Sequence, residues 1–350
     1  MQVVVEYHLL VIIMKKIFLS LALFVVAIMP VEAKKEKVKP EQKGLATINI
    51  AKAKSHVEFL ASDVLKGREA GTEWGHIAGE YLVAVLKQMG ATPLFGNSFV
   101  QPFKGYSLYY SKASGYTVVP EGIEQIKKGP YRVANMHNVL AKIEGKNPDE
   151  IVVVGAHYDH LGYDPMLADD FIYNGADDNA SGVQAVLQIL QAFLATGQQP
   201  ERTVIFALWD GEEKGLCGSK YFVNNFADIK KVKGYMNFDM IGRDCVEDRK
   251  NHFNFMYTAK DSVYAEWLKN DIKQYSLALN PSYNSSDDFS RGSDQVSFFN
   301  AGASIVWYQT GSHSDYHKPS DESHRINWDK MVEITKAAFL CLWKMANNSF

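Results

Sequence analysis

Apolar runs that end in an acid or a histidine constrain this chain more than any other feature of its 350 residues. Ile151–Ala156 runs into His157-Tyr158-Asp159, and Thr203–Trp209 runs into Asp210-Gly211-Glu212-Glu213. Tyr235–Phe238 runs into Asp239, and Ala303–Tyr308 leads to a loop carrying His313, Asp315, Tyr316 and His317. With Val139–Ile143, these runs read as buried strands. Between two of them Val183, Val186, Leu187, Leu190, Phe193 and Leu194 mark one face of a helix. Asn179 and Ser181 are both candidates to cap its start, and Gly175-Ala176-Asp177-Asp178 opens it. Strands alternating with helices predict an α/β fold, with a mostly parallel mixed central sheet covered by helices on both faces. In such sheets ligands bind outside the carboxyl ends of the strands. The acids and histidines recur at that edge, which points to a shared site.

Composition narrows the class. Apolar residues make up 47% and charged residues 22%, with 37 Lys+Arg against 40 Asp+Glu, as in an ordinary globular protein. The net charge of -3 gives no footprint for nucleic acid, so none is expected as a partner. Three cysteines, Cys217, Cys245 and Cys341, are too few for a disulfide scaffold; buried thiols and a Cys217–Cys245 pair are both open.

Met14-Lys15-Lys16, the apolar run Ile17–Met29 and Val31-Glu32-Ala33 are expected to form a leader for export, cut after Ala33. Residues 1–13 are an upstream extension, with Met14 as the expected start. After cleavage no stable membrane insertion is expected; the alternative is an uncleaved anchor. Residues 34–48 read as a linker, and 49–350 as a single domain. Helices are expected from about Asn49 to Leu60 and from about Trp74 to Met89, with Gly90 ending the second. Residues 95–135 read as short strands and loops.

Two histidines and several carboxylates without a cysteine suggest a zinc site, cobalt and manganese being alternatives. Two divalent ions ~3.5–4 Å apart need a bridging carboxylate and further ligands for each.

At these residues the chain resembles the M28 family of zinc peptidases, the aminopeptidase Y-like enzymes with two co-catalytic metals. The matching segments are GAHYDH (155–160), GADDNASG (175–182), DGEEKGLCGS (210–219), FDMIGR (238–243) and SDYHKPSD (314–321). LKGREAGTEWGHIAGEYL (65–82) resembles the family's N-terminal helix region. The resemblance implies two Zn²⁺ per chain. His157 and Asp239 would hold one, Glu213 and His317 the other, with Asp178 as the bridge. Glu212 would be the general base that takes a proton from water, and Asp159 would accept a hydrogen bond from His157. Tyr316 would donate to the oxyanion. The family often has His where this chain has Gln295. The other histidines, His160 among them, are expected to be structural.

The implied function is an exported exopeptidase acting on peptide substrates, an aminopeptidase first, with carboxypeptidase or dipeptidase as variants. Two further readings are a glutaminyl cyclase, similar in fold but using one zinc, and a non-enzymatic binding protein.

Overall fold

A computed structural model describes residues 38–109, 115–246 and 249–349, with a few isolated positions between 8 and 15. The chain divides into two units, Met1–Val38 and Lys39–Phe350. In the first, His8, Leu10, Val11, Ile12, Met14 and Lys15 are helical and exposed. Most of the expected leader, from Ile17 to Ala33, lies outside the described residues. Among those described, no helix is long and apolar enough to cross a membrane.

The second unit begins with α1 (Pro40–Leu45), α2 (Ile50–Leu60) and α3 (Glu73–Gln88), then β1 (Thr92–Pro93), β2 (Val100–Leu108) and α4 (Pro120–Ile126). β3 (Tyr131–Ile143) and β4 (Asn147–His157) precede α5 (Gly182–Thr196), β5 (Arg202–Trp209), α6 (Cys217–Asn225) and β6 (Val232–Phe238). The chain closes with β7 (His252–Thr258), α7 (Val263–Gln274), β8 (Asn280–Ser286), α8 (Gln295–Asn300), β9 (Ser304–Gln309) and α9 (Trp328–Asn347). Residues 40–45, expected within a linker, are therefore helical. Gly44 is the reason: a Cβ there would stand 2.3 Å from the Phe339 ring and 2.9 Å from the Ala192 carbonyl, so α1 docks closely on α5 and α9.

The nine strands form one sheet in the order β1-β3-β5-β4-β6-β9-β7-β8, with β2 paired on β3. At its centre β5, β4, β6 and β9 run parallel. β3 and β7 flank them antiparallel. This is the mixed α/β architecture expected. The central strands are buried on both faces, which is why their sequences are continuous apolar runs rather than alternating ones. Parallel register sets His157 beside Trp209 and Phe238 beside Tyr308. The carboxyl ends of four strands therefore open onto one edge.

α5 lies across this core. Val183, Ala185, Leu187, Ile189 and Leu190 are fully buried, each large side chain contributing about 2 kcal/mol. Ser181 is its N-cap without a side-chain capping bond, and Asn179 Oδ1, in the turn before it, accepts from Gly182 N at 3.0 Å. Gly197, at φ +65°, ends it in the left-handed conformation that glycine adopts without strain. Asn49 and Thr72 cap α2 and α3 by accepting from Lys52 N and Gly75 N.

Candidate metal centre

Each expected donor leaves its element at this edge. His157 is the last residue of β4, Asp239 follows β6, Glu212 and Glu213 follow β5, and His317 lies in the loop after β9. Asp178 sits in the wide turn Ala176–Ser181 that leads into α5. The backbone of this turn is held from two sides. Asp321 accepts from the amides of Asp177 and Asp178 at 3.0–3.1 Å. On the other side lies Arg68, completely buried. Its guanidinium donates to the carbonyls of Tyr158 (2.7 Å), Leu60 (3.0 Å), Gly175 (2.7 Å), Asp178 (3.1 Å) and Asn174. One side chain thus ties the segment after His157 to the turn carrying Asp178. Burial lowers its pKa to about 10, with Asp178 and Asp159 opposing, so it remains a cation at neutral pH.

The donors converge. Asp178 divides its two oxygens: Oδ1 stands 3.3 Å from His157 Nε2, and Oδ2 stands 3.2 Å from His317 Nε2. His157 Nε2 is 3.6 Å from Asp239 Oδ1, and His317 Nε2 is 3.2 Å from Glu213 Oε2. His157, Asp178 and Asp239 offer ligand atoms all within 4.8 Å of one another. His160, Asp178 and Glu213 do the same. Such spacings suit groups around a metal bound at about 2.0–2.2 Å.

Charge supports the same reading. Burial disfavours the Asp178 carboxylate, but His160, His157 and His317 outweigh it and hold its pKa well below the usual range. Glu213 is likewise brought down to about 2: burial and Asp178 push up, while His160 and His317 prevail. Burial would lower the pKa of His317, yet Asp178 and Glu213 raise it to about 10. His157 is raised for the same reason, burial being overcome by Glu212, Asp159, Asp178 and Asp239. The cluster concentrates negative charge in a buried place and calls for a compensating cation. A divalent ion on each donor set fits that demand.

Glu212 belongs to neither donor set. Burial first, then Asp239, Asp294 and Glu213, raise its carboxyl well above the usual range against the pull of His157. Asp294, the residue before Gln295, is fully buried and pushed up to about 7, mainly by burial.

Asp159 departs from expectation. His157 Nδ1 is 3.2 Å from the Asp159 backbone carbonyl but 3.7 Å from its carboxylate. The carboxylate accepts instead from the amides of Glu212 (3.0 Å) and Glu213 (3.3 Å). A carboxylate that takes two successive amides shapes the loop, so Asp159 aims the glutamates while its carbonyl orients His157.

His160, expected to be structural, is brought into the centre: its Nδ1 lies 2.8 Å from Glu213 Oε1. Sequence gave one signal for it, its place in the same post-strand segment as His157. His313 Nε2 lies 3.3 Å from Asp177 Oδ2, outside both donor sets, and His324 is exposed. His76 and His137 face each other with Nδ1 atoms 3.2 Å apart, and line a separate cavity of about 520 Å³. The Tyr316 ring stacks on His317 at 3.8 Å between centroids and is 39% exposed, at the mouth of the cluster. Burial, followed by Asp178 and Glu213, raises its pKa, so the hydroxyl keeps its proton. Gln295 is a structural residue: Oε1 accepts from Asn237 Nδ2 and Ser293 N, and Nε2 donates to the Arg291 carbonyl. All three cysteines are free.

Comparison with known proteins defines the class. The model of peptidase family M28 matches residues 138–341, more than half of the chain. The chain belongs to that family. It is 30% identical over 194 residues to leupeptin-inactivating enzyme 1 of Streptomyces exfoliatus, a match covering 55% of this chain and 39% of that protein. It is 32% identical over 185 residues to an aminopeptidase of Pseudomonas aeruginosa strain UCBPP-PA14, covering 50% and 31%. The matches thus span well under half the length of these curated relatives. In fold it is similar to the aminopeptidase from Aneurinibacillus sp. strain AM-1, with a TM-score of 0.65 at 16% identity over 88% of this chain and 97% of that one.

Proposed function

We propose that this protein is an exported zinc-dependent exopeptidase that removes residues from the free amino ends of peptides. The observation that carries this reading is the shared carboxylate: Asp178 offers one oxygen to each of two donor sets, with Glu212 beside them and in neither. His157, Asp178 and Asp239 would hold one zinc, and Asp178, Glu213 and His317 the other. Zinc held there would supply Lewis acidity towards the scissile carbonyl and would make water more acidic.

The chain's own residues do the rest. The Glu212 carboxylate takes a proton from the attacking water and delivers it to the leaving amine nitrogen. A carboxylate engaged as a ligand would be less basic, so division of labour between Glu212 and Glu213 is needed. Asp159 provides it by clamping both amides and presenting the side chains in different directions. The Tyr316 hydroxyl would donate to the carbonyl oxygen as charge develops there. Export rests on the basic and apolar segment Met14–Ala33. The presence of both donor sets favours hydrolysis over a single-zinc cyclase.

The test is mass spectrometry of a peptide pool incubated with the purified chain and zinc. The pool contains free amino ends, blocked amino ends and amino-terminal Gln. Stepwise loss of residues from unblocked peptides is expected, and Glu212→Gln should reduce it by about 10²–10⁴-fold. Trimming from the carboxyl end would replace the aminopeptidase reading with a carboxypeptidase. Loss of ammonia from Gln peptides without shortening would replace hydrolysis with cyclisation.

A further inference from the structure

We propose that His160 is a positioning residue of the metal centre: it donates its Nδ1–H to Oε1 of Glu213 and so leaves Oε2 to face the ion shared with Asp178 and His317. This inference rests on the two-metal reading above and goes beyond the five expected ligands. Glu213 divides its oxygens by partner. Oε1 lies 2.8 Å from His160 Nδ1, and Oε2 lies 3.2 Å from His317 Nε2. A carboxylate that binds a metal is ionised and can only accept hydrogen bonds. Nδ1 must therefore carry the proton in this contact. His160 Nδ1 is farther from the bridge, 3.9 Å from Asp178 Oδ2. Its close contact is with Oε1 of Glu213, while His317 Nε2 stands nearer the bridge, 3.2 Å from Asp178 Oδ2.

The surroundings hold the ring in this role. His160 is completely buried. Its amide donates to the Arg68 carbonyl, and its backbone pairs with Glu69. Glu69 in turn bonds Lys214, the residue after Glu213, at 2.7 Å. Gly175 makes room for the imidazole: a Cβ there would lie 2.5 Å from His160 Cδ2. The same glycine opens the turn that carries Asp178, at φ +61°. The ring is wedged between the two segments whose carboxylates it serves. A carboxylate restrained to one oxygen binds its ion with less loss of freedom, and such outer partners are worth about 10–100-fold in metal affinity.

The test is titration of the metal-free chain with Zn²⁺ against a chromophoric chelator, and with Co²⁺ followed by its visible spectrum. Wild type is expected to take up two ions. His160→Ala should bind one as wild type does and the other about 10–100-fold more weakly. His160→Asn, whose amide nitrogen can take the place of Nδ1, should recover most of that loss; His160→Gln, with its donor one bond farther out, should not. If His160→Ala does not fold, the Asn and Gln variants carry the comparison. A His160→Ala chain that binds both ions as wild type, or Asn and Gln variants that weaken binding equally, overturns the positioning role alone. A His317→Ala chain that keeps two ions also overturns it, because His160 would then be a ligand. A wild-type chain that takes up no ion overturns the metal reading itself.

Discussion

The two halves of the centre are built from different material. His157 and Asp239 extend the neighbouring parallel strands β4 and β6, whose ladder pairs Gly155 with Asn237 just before them. Glu213 and His317 stand on loops, after β5 and β9, and His317 adopts φ +55°. The His157 side chain is 1% exposed, that of His317 36%. One half is positioned mainly by the sheet, with the Asp159 carbonyl orienting His157. The other depends on side chains that pin its loops: Asp159 on the glutamate amides, His160 on Glu213, and Arg243 on Asp315, two residues before His317. A sheet edge supplies precision cheaply, and loops supply access.

Removing what the halves share should have the largest effect. Asp178→Ala should abolish binding of both ions and lower activity by about 10³-fold or more, several kcal/mol of lost transition-state stabilisation. Metal content by mass spectrometry and turnover on an amino-acid anilide would read this. Retention of one tightly bound ion would mean the halves do not share a ligand.

The next contrast is His157→Ala against His317→Ala. The first leaves Asp239 and Asp178 buried beside a cavity and should cost about 2–4 kcal/mol in urea unfolding of the chelated protein. His317 is partly in solvent, so its loss should cost about 1 kcal/mol or less. Equal costs would show that the loop half is as embedded as the strand half.

A smaller effect is expected at the loop anchor. Arg243 donates to Asp315 at 2.6 Å, and Arg325 reaches the same oxygen at 3.2 Å. Arg243→Leu should weaken one ion by about 10-fold and leave the other unchanged. Equal weakening of both, in a two-ion titration, would dissolve the distinction between the halves.

A separate effect lies outside both halves and calibrates any acid series. Burial lowers His56 and His137 from the ordinary 6.5 to about 4, Lys52 and His76 adding to it respectively. Both titrate lower in the fold than in the unfolded chain. Their stabilising contribution is therefore complete above about 6.5 and is lost as pH falls towards about 4. Each should cost up to about 2 kcal/mol at pH 5, visible as a thermal midpoint that drops with acidity in the chelated protein. His56→Gln should make that drop shallower; an unchanged slope would count against the assignment.

Legibility in the sequence followed the range of the interactions. β4, β5, β6 and β9 were visible because strands covered on both faces must be continuous apolar runs, and their boundaries moved by only a few residues. β7, β8 and α9 were not identified; β8 is largely polar and has no buried residue, so nothing periodic announces it. α1 was hidden in a charged stretch because its contribution comes from the close approach at Gly44. Among the donors, the residues just beyond strand ends stood out by position. Asp159 lies next to His157, but its carboxylate serves the glutamate amides, a contact across 53 positions that spacing does not reveal.

By itself, then, the sequence determined which central strands form, which edge collects the acids and histidines, and which family motifs they match. These depend on local periodicity and on residues that follow a strand directly. Only the tertiary structure decided which oxygen of Asp178 meets which histidine, that Arg68 ties five carbonyls together, and that His160 enters the centre. Those relations join segments that lie far apart along the chain. They exist only once the sheet has brought the segments within hydrogen-bonding distance.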